Sequence, residues 1–173
     1  MKKFLKFVAL IISSVLLTSC SLKTSLSSNT GTENPADYNY NPKSELKQKM
    51  FEILSCFDER NSNKLKKMFS KSKCDNADLD NQIKDAFNFY EGVSKDHEPF
   101  YCAESNTCFN KDHYESRSFR CELEKIKTDK NRCYNIVAYY VLVDEKNKDM
   151  VGFSSIILEE CQESESDNYY KIG

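Results

Sequence analysis

Residues 118–143 read SFRCELEKIKTDKNRCYNIVAYYVLV, and this stretch carries the clearest folding pattern in the chain. Residues 118–127 alternate between apolar and charged side chains, which is typical of a strand with one face in water. A polar turn at 128–131 follows, and residues 136–143 are then apolar without alternation. That run predicts a central strand with both faces covered. The stretch as a whole predicts an antiparallel hairpin.

The apolar faces of these two strands set their expected register. A turn at 128–131 places apolar residues of the two strands opposite each other, whereas a slip of one residue would turn the apolar set toward water. The expected facing pairs are Leu123–Ile136, Cys121–Ala138 and Phe119–Tyr140. Cys121 and Cys133 are not opposite each other in this register, so a disulfide between them is disfavoured.

Helical patterns precede the hairpin. The first begins at Pro42 and keeps apolar residues at helical spacing as far as Phe57. A short second helix is expected over 64–70. A third runs from about Asp78 to Gly92, because glycine is a common residue just past a helix end.

Two further segments follow the same reasoning. Residues 151–158 are apolar enough for another long strand, and residues 169–173 suggest a last one. Residues 97–115 have weak periodicity, one proline and two cysteines, which predicts a long loop. The order of helices followed by an antiparallel meander predicts an α+β domain with N-terminal helices packed on one face of the sheet.

The N-terminus has the pattern of an export signal. Lysines precede the apolar run 7–17, which is shorter than the roughly 20 residues of a membrane-spanning helix. Residues 17–20, Leu-Thr-Ser-Cys, then resemble the lipobox of bacterial lipoproteins, in which the cysteine accepts a diacylglycerol. We expect cleavage before Cys20, and two or more acyl chains would hold the mature chain stably at a bilayer. The alternative is an ordinary secretory signal followed by an unmodified cysteine.

Composition divides the chain into three expected segments. Residues 1–19 form the expected signal peptide, and residues 20–41, rich in Ser, Thr and Asn, would act as a flexible tether. Residues 42–173 are enough for a single domain with one core. The chain has a net charge of −2, and loss of a leader with lysines and no acids makes it more acidic. This charge argues against binding of nucleic acid.

The cysteines leave several interpretations open. The chain contains 8 cysteines, so assigning Cys20 to lipid leaves an odd number, and at least one thiol stays free or pairs between chains. A Cys102–Cys108 disulfide that closes a small loop is one interpretation of the region, and free thiols are another. A weaker one is a zinc site made of His97, Cys102, Cys108 and His113, whose spacing matches no familiar zinc motif.

Three segments carry a family resemblance: EILSCF at 52–57, LKKMFS at 65–70 and DLDNQIKDAFNFYEG at 78–92, with 139–143 and 151–154 extending it into the sheet. They resemble bacterial lipoproteins of the family called domain of unknown function 5104, which look like members of the nuclear transport factor 2-like superfamily. The resemblance implies a cone, also described as cystatin-like, in which a curved antiparallel sheet wraps around helices. A cavity would lie at its open end. No known activity is implied.

The resemblance also suggests where a site would lie. Tyr90, Phe119, Tyr140 and Phe153 stand where the cavity of such a cone would be lined, although ordinary core packing is the alternative. Residues 96–116 depart from the family pattern and would form an insertion. The Asp or His dyads of enzymes in the wider superfamily have no match here, so the sequence identifies no catalytic residue and no cofactor.

These observations predict a membrane-anchored, extracytoplasmic lipoprotein of the cell envelope. Its partners would be the lipid bilayer, through the acylated Cys20, and an unknown small ligand or envelope protein. The expected role is that of a binding module. The alternatives are an enzyme that uses polar groups in the cone cavity and a structural or accessory envelope protein.

The lipid anchor can be tested by mass spectrometry of protein extracted from membranes. The mature N-terminus is expected to be an acylated Cys20, and Cys20→Ser is expected to move the protein out of the detergent phase in a phase-partition experiment. An unmodified N-terminus at any other residue would contradict the assignment.

Overall fold

The computed structural model describes residues 34–161 and 168–173. The predictions for the signal peptide, for Cys20 and for the tether as far as residue 33 lie outside the described residues. Within the described ranges, no helix combines the length and apolar character needed to cross a bilayer.

Helices come first in the chain and strands follow, so the protein has the α+β class that the sequence predicts. The helices are α1 (Lys43–Glu59), α2 (Ser62–Lys66), α3 (Lys71–Cys74) and α4 (Leu79–Phe89). The strands are β1 (Ser94–Asp96), β2 (Tyr101–Asn110), β3 (His113–Thr128), β4 (Cys133–Asp144), β5 (Gly152–Glu160) and β6 (Tyr169–Ile172).

The two long helices form where apolar residues recur at helical spacing. In α1 the buried side chains include Leu46, Met50 and Phe57, and the helix ends at Arg60 in the left-handed conformation with φ of 56°. In α4 the buried side chains are Leu79, Ile83, Ala86 and Phe87. These faces join the inner residues of the sheet in one apolar core.

The second helix is shorter than the expected 64–70 and ends at Lys66. The reason lies in the backbone that follows it. The Ser70 amide donates to the Phe153 carbonyl at 3.0 Å, and the Phe153 amide donates to the Met68 carbonyl at 3.1 Å. Residues 68–70 therefore pair with the start of β5, and their backbone groups are not available to continue a helix.

The sheet is antiparallel with strand order β1–β3–β4–β5–β6, and β2 also pairs with β3. Its central register is the expected one, and three facing pairs confirm it: Phe119–Tyr140, Cys121–Ala138 and Leu123–Ile136. The ladder shifts after Leu123, where Lys125 has a φ of 50°. This β-bulge lets one residue more fit on β3 than on β4.

The prediction of a long loop over 97–115 is wrong, because residues 101–110 form β2 and pair with β3 through a hairpin turn at Lys111 and Asp112. Most side chains of β2 are exposed on both faces, so the strand lacks the apolar alternation that identifies a strand in a sequence. Its backbone hydrogen bonds to β3, and not burial, hold it in the sheet.

The prediction that β4 is covered on both faces is also wrong in part. Its inner residues are buried, but Tyr139 and Val141 on the outer face are only half-buried. The outer face is apolar and partly open to solvent.

Residues 34–40 do not behave as tether. Asp37 forms a β-bridge with His113, and the Tyr114 amide donates to the Ala36 carbonyl at 2.9 Å. The Arg117 guanidinium donates to the Tyr40 carbonyl at 2.9 Å and pairs with Glu104 at 2.6 Å. The packed part of the chain therefore begins before Pro42.

One disulfide joins Cys133 and Cys161, whose Cα atoms are 5.1 Å apart. Because Tyr134 faces Glu160 in the β4–β5 ladder, these cysteines occupy the next position at its end. The Cys161 amide donates to the Cys133 carbonyl at 2.8 Å, so the backbone already holds the two sulfurs together.

Removing this disulfide is expected to destabilise the fold. The cysteines are 28 residues apart, and closing a loop of that size contributes about 3–4 kcal/mol in the chain-entropy account. A Cys133→Ala and Cys161→Ala double variant should lose about that much free energy of unfolding in urea, whereas Cys108→Ser, at an exposed thiol, should lose little. A loss below about 1 kcal/mol in the double variant would contradict the structural role.

Candidate functional site

A cavity of about 370 Å³ opens between α1, the segment after α2 and the start of β5. This volume lies at the lower end of the range for small-molecule sites. Its lining combines aromatic, aliphatic and charged side chains: Lys49, Glu52, Lys67, Met68, Phe69, Tyr140, Val151, Gly152 and Phe153.

One wall of the cavity depends on the close approach of Gly152 to the segment after α2. Gly152 has a φ of 125°, a conformation that residues with a side chain rarely adopt. A Cβ atom there would lie 2.8 Å from the Ser70 amide nitrogen. The glycine therefore allows residues 68–70 to pair with β5 and to close this side of the cavity.

The deeper wall of the cavity is aromatic. Tyr140 and Phe153 are buried, and their ring centroids lie 4.9 Å apart in an edge-to-face arrangement. They face each other across the β4–β5 ladder. This arrangement is favourable beyond the burial of apolar area, and the fully buried Phe153 holds the Tyr140 ring in place beside the cavity.

A cation and a phenol meet at this wall. The Lys49 ammonium lies 5.2 Å from the centroid of the Tyr140 ring and 3.5 Å from the Glu45 carboxylate. Burial raises the pKa of Tyr140, and the nearby Lys49 charge opposes part of that shift. Burial lowers the pKa of Lys49, but Tyr140 and Glu45 outweigh it, so the net shift is upward. Both groups therefore carry their protons at neutral pH and can donate hydrogen bonds.

Lys67 adds a second cation at the exposed side of the cavity. Within the part of the chain that the structure describes, its ammonium has no carboxylate partner. Glu52 on α1 accepts a hydrogen bond from the Gln48 amide at 3.3 Å. The two lysines and the Tyr140 hydroxyl thus supply donors to a cavity with an apolar wall.

A second and wider cavity, of about 790 Å³, lies along α2 and α4 and includes Tyr90 and Arg60. Its Arg60 and Tyr90 side chains already bond within the protein. The Arg60 guanidinium donates to the carbonyls of Phe87 and Tyr90, and the Tyr90 hydroxyl donates to Asp58 at 2.9 Å. Asp58 also accepts from the Ser94 amide at 2.8 Å. These contacts join the ends of α1 and α4 to β1, which is a structural role.

The four aromatic residues expected to line one cavity lie in three different parts of the structure. Tyr140 and Phe153 line the smaller cavity, and Tyr90 lines the wider one. Phe119 lies in the core beneath the Arg117 guanidinium, which is 5.0 Å from its ring centroid.

The predicted Cys102–Cys108 disulfide is wrong, because both cysteines lie on β2, where six residues of extended chain separate them by about 20 Å. The weaker zinc candidate also fails. Cys102 faces Cys121, Cys108 faces Ser116 and His113 faces Asn110, which spreads the ligands along the hairpin. Among the described residues, no group of three or more His, Cys, Asp or Glu could hold a metal ion.

Sequence reasoning missed the charged side of the cavity. Lys49 and Lys67 lie in helical segments where lysine usually indicates a solvated face. Lys49 directly precedes the buried Met50, so its position at the border of the apolar face is the available signal. Gly152 at the start of a strand is a second signal, since glycine there often marks close backbone approach.

Comparison with known proteins identifies a family. The model of a family described as Domain of unknown function (DUF5104) matches residues 52–163. This range runs from α1 through β5 and includes Lys67, Tyr140 and Phe153. Among curated proteins, none matches the chain.

The pairing of Lys49 with Tyr140 predicts a measurable titration. The pKa of Tyr140 should lie above the ordinary value of about 10 because of burial, and Lys49→Met should raise it further because it removes the cation that opposes the shift. Carbon-13 NMR of labelled tyrosine, assigned with Tyr140→Phe, measures it. Lys67→Met is the control and should leave this pKa nearly unchanged. A lower pKa in Lys49→Met would contradict the geometry.

Proposed function

The chain belongs to the family described as domain of unknown function DUF5104, and we propose that it is a membrane-anchored, extracytoplasmic module that binds a small anion with an apolar body. The ligand would enter the cavity between α1 and β5. Its apolar part would lie against Tyr140, which packs on the fully buried Phe153, and its anionic group would meet Lys49 and Lys67.

The observation that carries this proposal is the meeting of protonated donors with an aromatic wall. The Lys49 ammonium lies at the Tyr140 ring, which packs on Phe153 and carries its own hydroxyl donor. Lys67 lies at the exposed side of the cavity. The cavity lining is mainly polar, with Tyr140 at its apolar side, which suits a ligand whose charged group makes most of the contacts. Charge-assisted hydrogen bonds to an anion are stronger than neutral ones, so an anionic ligand suits these donors best.

Binding is favoured over acid–base catalysis by the protonation states of the same groups. A general base must lose its proton near neutral pH, and the raised pKa values of Lys49 and Tyr140 oppose this. In the wider cavity, the Asp58 carboxylate that accepts from the Tyr90 hydroxyl also accepts from the amide and the hydroxyl of Ser94. Neither arrangement offers a reactive pair to a substrate.

We assign the domain to the nuclear transport factor 2-like cones. Support comes from the helices that precede a long antiparallel meander and from the cavity lined jointly by α1, β4 and β5. The anchor is supported by the basic, apolar and lipobox segments of residues 1–20.

Fluorescence titration with anilinonaphthalene sulfonate, an anion with an apolar body, tests the site. Lys67→Glu is expected to weaken binding about tenfold, or roughly 1.4 kcal/mol, because it reverses a charge at the cavity. The matched control is Lys84→Glu, which changes the net charge equally but lies in the wider cavity.

Equal weakening in both variants would show that only net charge matters, and it would refute the assigned cavity. Unchanged binding in Lys67→Glu would do the same. Phe153→Leu is a further variant, which should weaken binding by loosening the packing that holds Tyr140 at the cavity, while circular dichroism reports whether the fold persists.

A further inference from the structure

Two cysteines face each other across the β2–β3 hairpin. Cys102 and Cys121 are direct partners in the ladder, and their Sγ atoms are 3.3 Å apart. Facing residues on antiparallel strands have Cα atoms about 4.5–5.5 Å apart, which is within the range that a disulfide spans. A bond between these sulfurs would need side-chain rotation and no change in strand pairing.

The two thiols differ in exposure. Cys121 is fully buried in the core, whereas Cys102 is partly exposed at its border. A hydrogen bond from the Cys121 thiol lowers the pKa of Cys102, with a further contribution from the Lys43 charge against the effect of burial. The same hydrogen bond and burial raise the pKa of Cys121. Cys102 is therefore the more accessible thiol and the more readily ionised one.

We propose that Cys102 and Cys121 form an oxidisable dithiol that becomes a second disulfide across β2 and β3, with Cys102 as the attacking sulfur. The oxidant is a small-molecule disulfide of the glutathione type. This site is independent of the cavity and of the proposed ligand.

The reaction balances as a thiol–disulfide exchange. The Cys102 thiolate attacks one sulfur of oxidised glutathione, whose S–S bond breaks and releases one glutathione thiolate. Cys121 then loses its proton to the solvent, and its sulfur attacks Cys102 in the mixed disulfide. The Cys102–Cys121 bond forms and the second glutathione leaves. The protein has lost two protons and two electrons, and the oxidised glutathione has gained them.

The consequence of the bond is local. Most of β2 is exposed, and its outer edge pairs with no strand among the residues that the structure describes. A bond from Cys102 to the buried Cys121 would fasten this edge strand to the core. Cys108, further along β2, faces Ser116 and so has no cysteine across the ladder. Cys56 is buried, and burial raises its pKa to about 11, which makes it a poor nucleophile.

The test uses the full chain with Cys133–Cys161 intact and with Cys108→Ser, because an exposed Cys108 would form its own adduct. After incubation with oxidised glutathione, intact mass spectrometry should show the loss of two hydrogens. Proteolytic mapping should place the new bond between Cys102 and Cys121. An unchanged protein mass, or a new bond to any other cysteine, overturns the proposal.

Two added substitutions test the order of attack. In Cys121→Ser the reaction should stop at a glutathione adduct on Cys102, whereas Cys102→Ser should give little adduct on the buried Cys121. The same adduct yield in both variants, with circular dichroism showing a folded chain, would overturn the assigned role of Cys102. Failure of either variant to fold leaves the mapped bond in Cys108→Ser as the deciding result.

Discussion

Strand β3 is the element on which the rest of the sheet depends. It pairs with β4 along one edge and with both β1 and β2 along the other. Its alternation of apolar and charged residues places Phe119, Cys121 and Leu123 in the core. A slip of one residue in its pairing would bury charged side chains, which costs several kcal/mol for each charge left without a partner. The register of β3 is therefore strongly determined.

This register has consequences on both sides of β3. Toward β4 it sets the position of Tyr140, which then meets Phe153 of β5 and forms the wall of the smaller cavity. Toward β2 it brings Cys121 opposite Cys102. The cavity also needs the contact between residues 68–70 and β5, which Gly152 permits. The candidate site thus arises where the helical and the sheet parts of the chain are joined by backbone hydrogen bonds.

The sequence predicted the strongly patterned parts well. The β3–β4 register and the long helices follow from apolar periodicity, and the structure confirms them. The second strand was missed because it is exposed on both faces and because the Lys111–Asp112 turn lacks the glycine that usually marks a two-residue hairpin. The Cys133–Cys161 disulfide was missed for a related reason. It follows only from the register at the end of the β4–β5 ladder, where polar residues give no apolar pattern that sets the pairing. The charged side of the cavity was the least predictable part, because a lysine at the border of a buried face has the same pattern as a solvated one.

Interstrand nuclear Overhauser contacts from the backbone protons of β3 measure its register directly. We expect contacts that connect Cys121 to Cys102 on one side and to Ala138 on the other. Contacts that connect Cys121 to the neighbours of these residues, with the whole ladder shifted by one position, would contradict this register. Such a shift would mean that Tyr140 does not line the cavity and that Cys102 and Cys121 do not face each other.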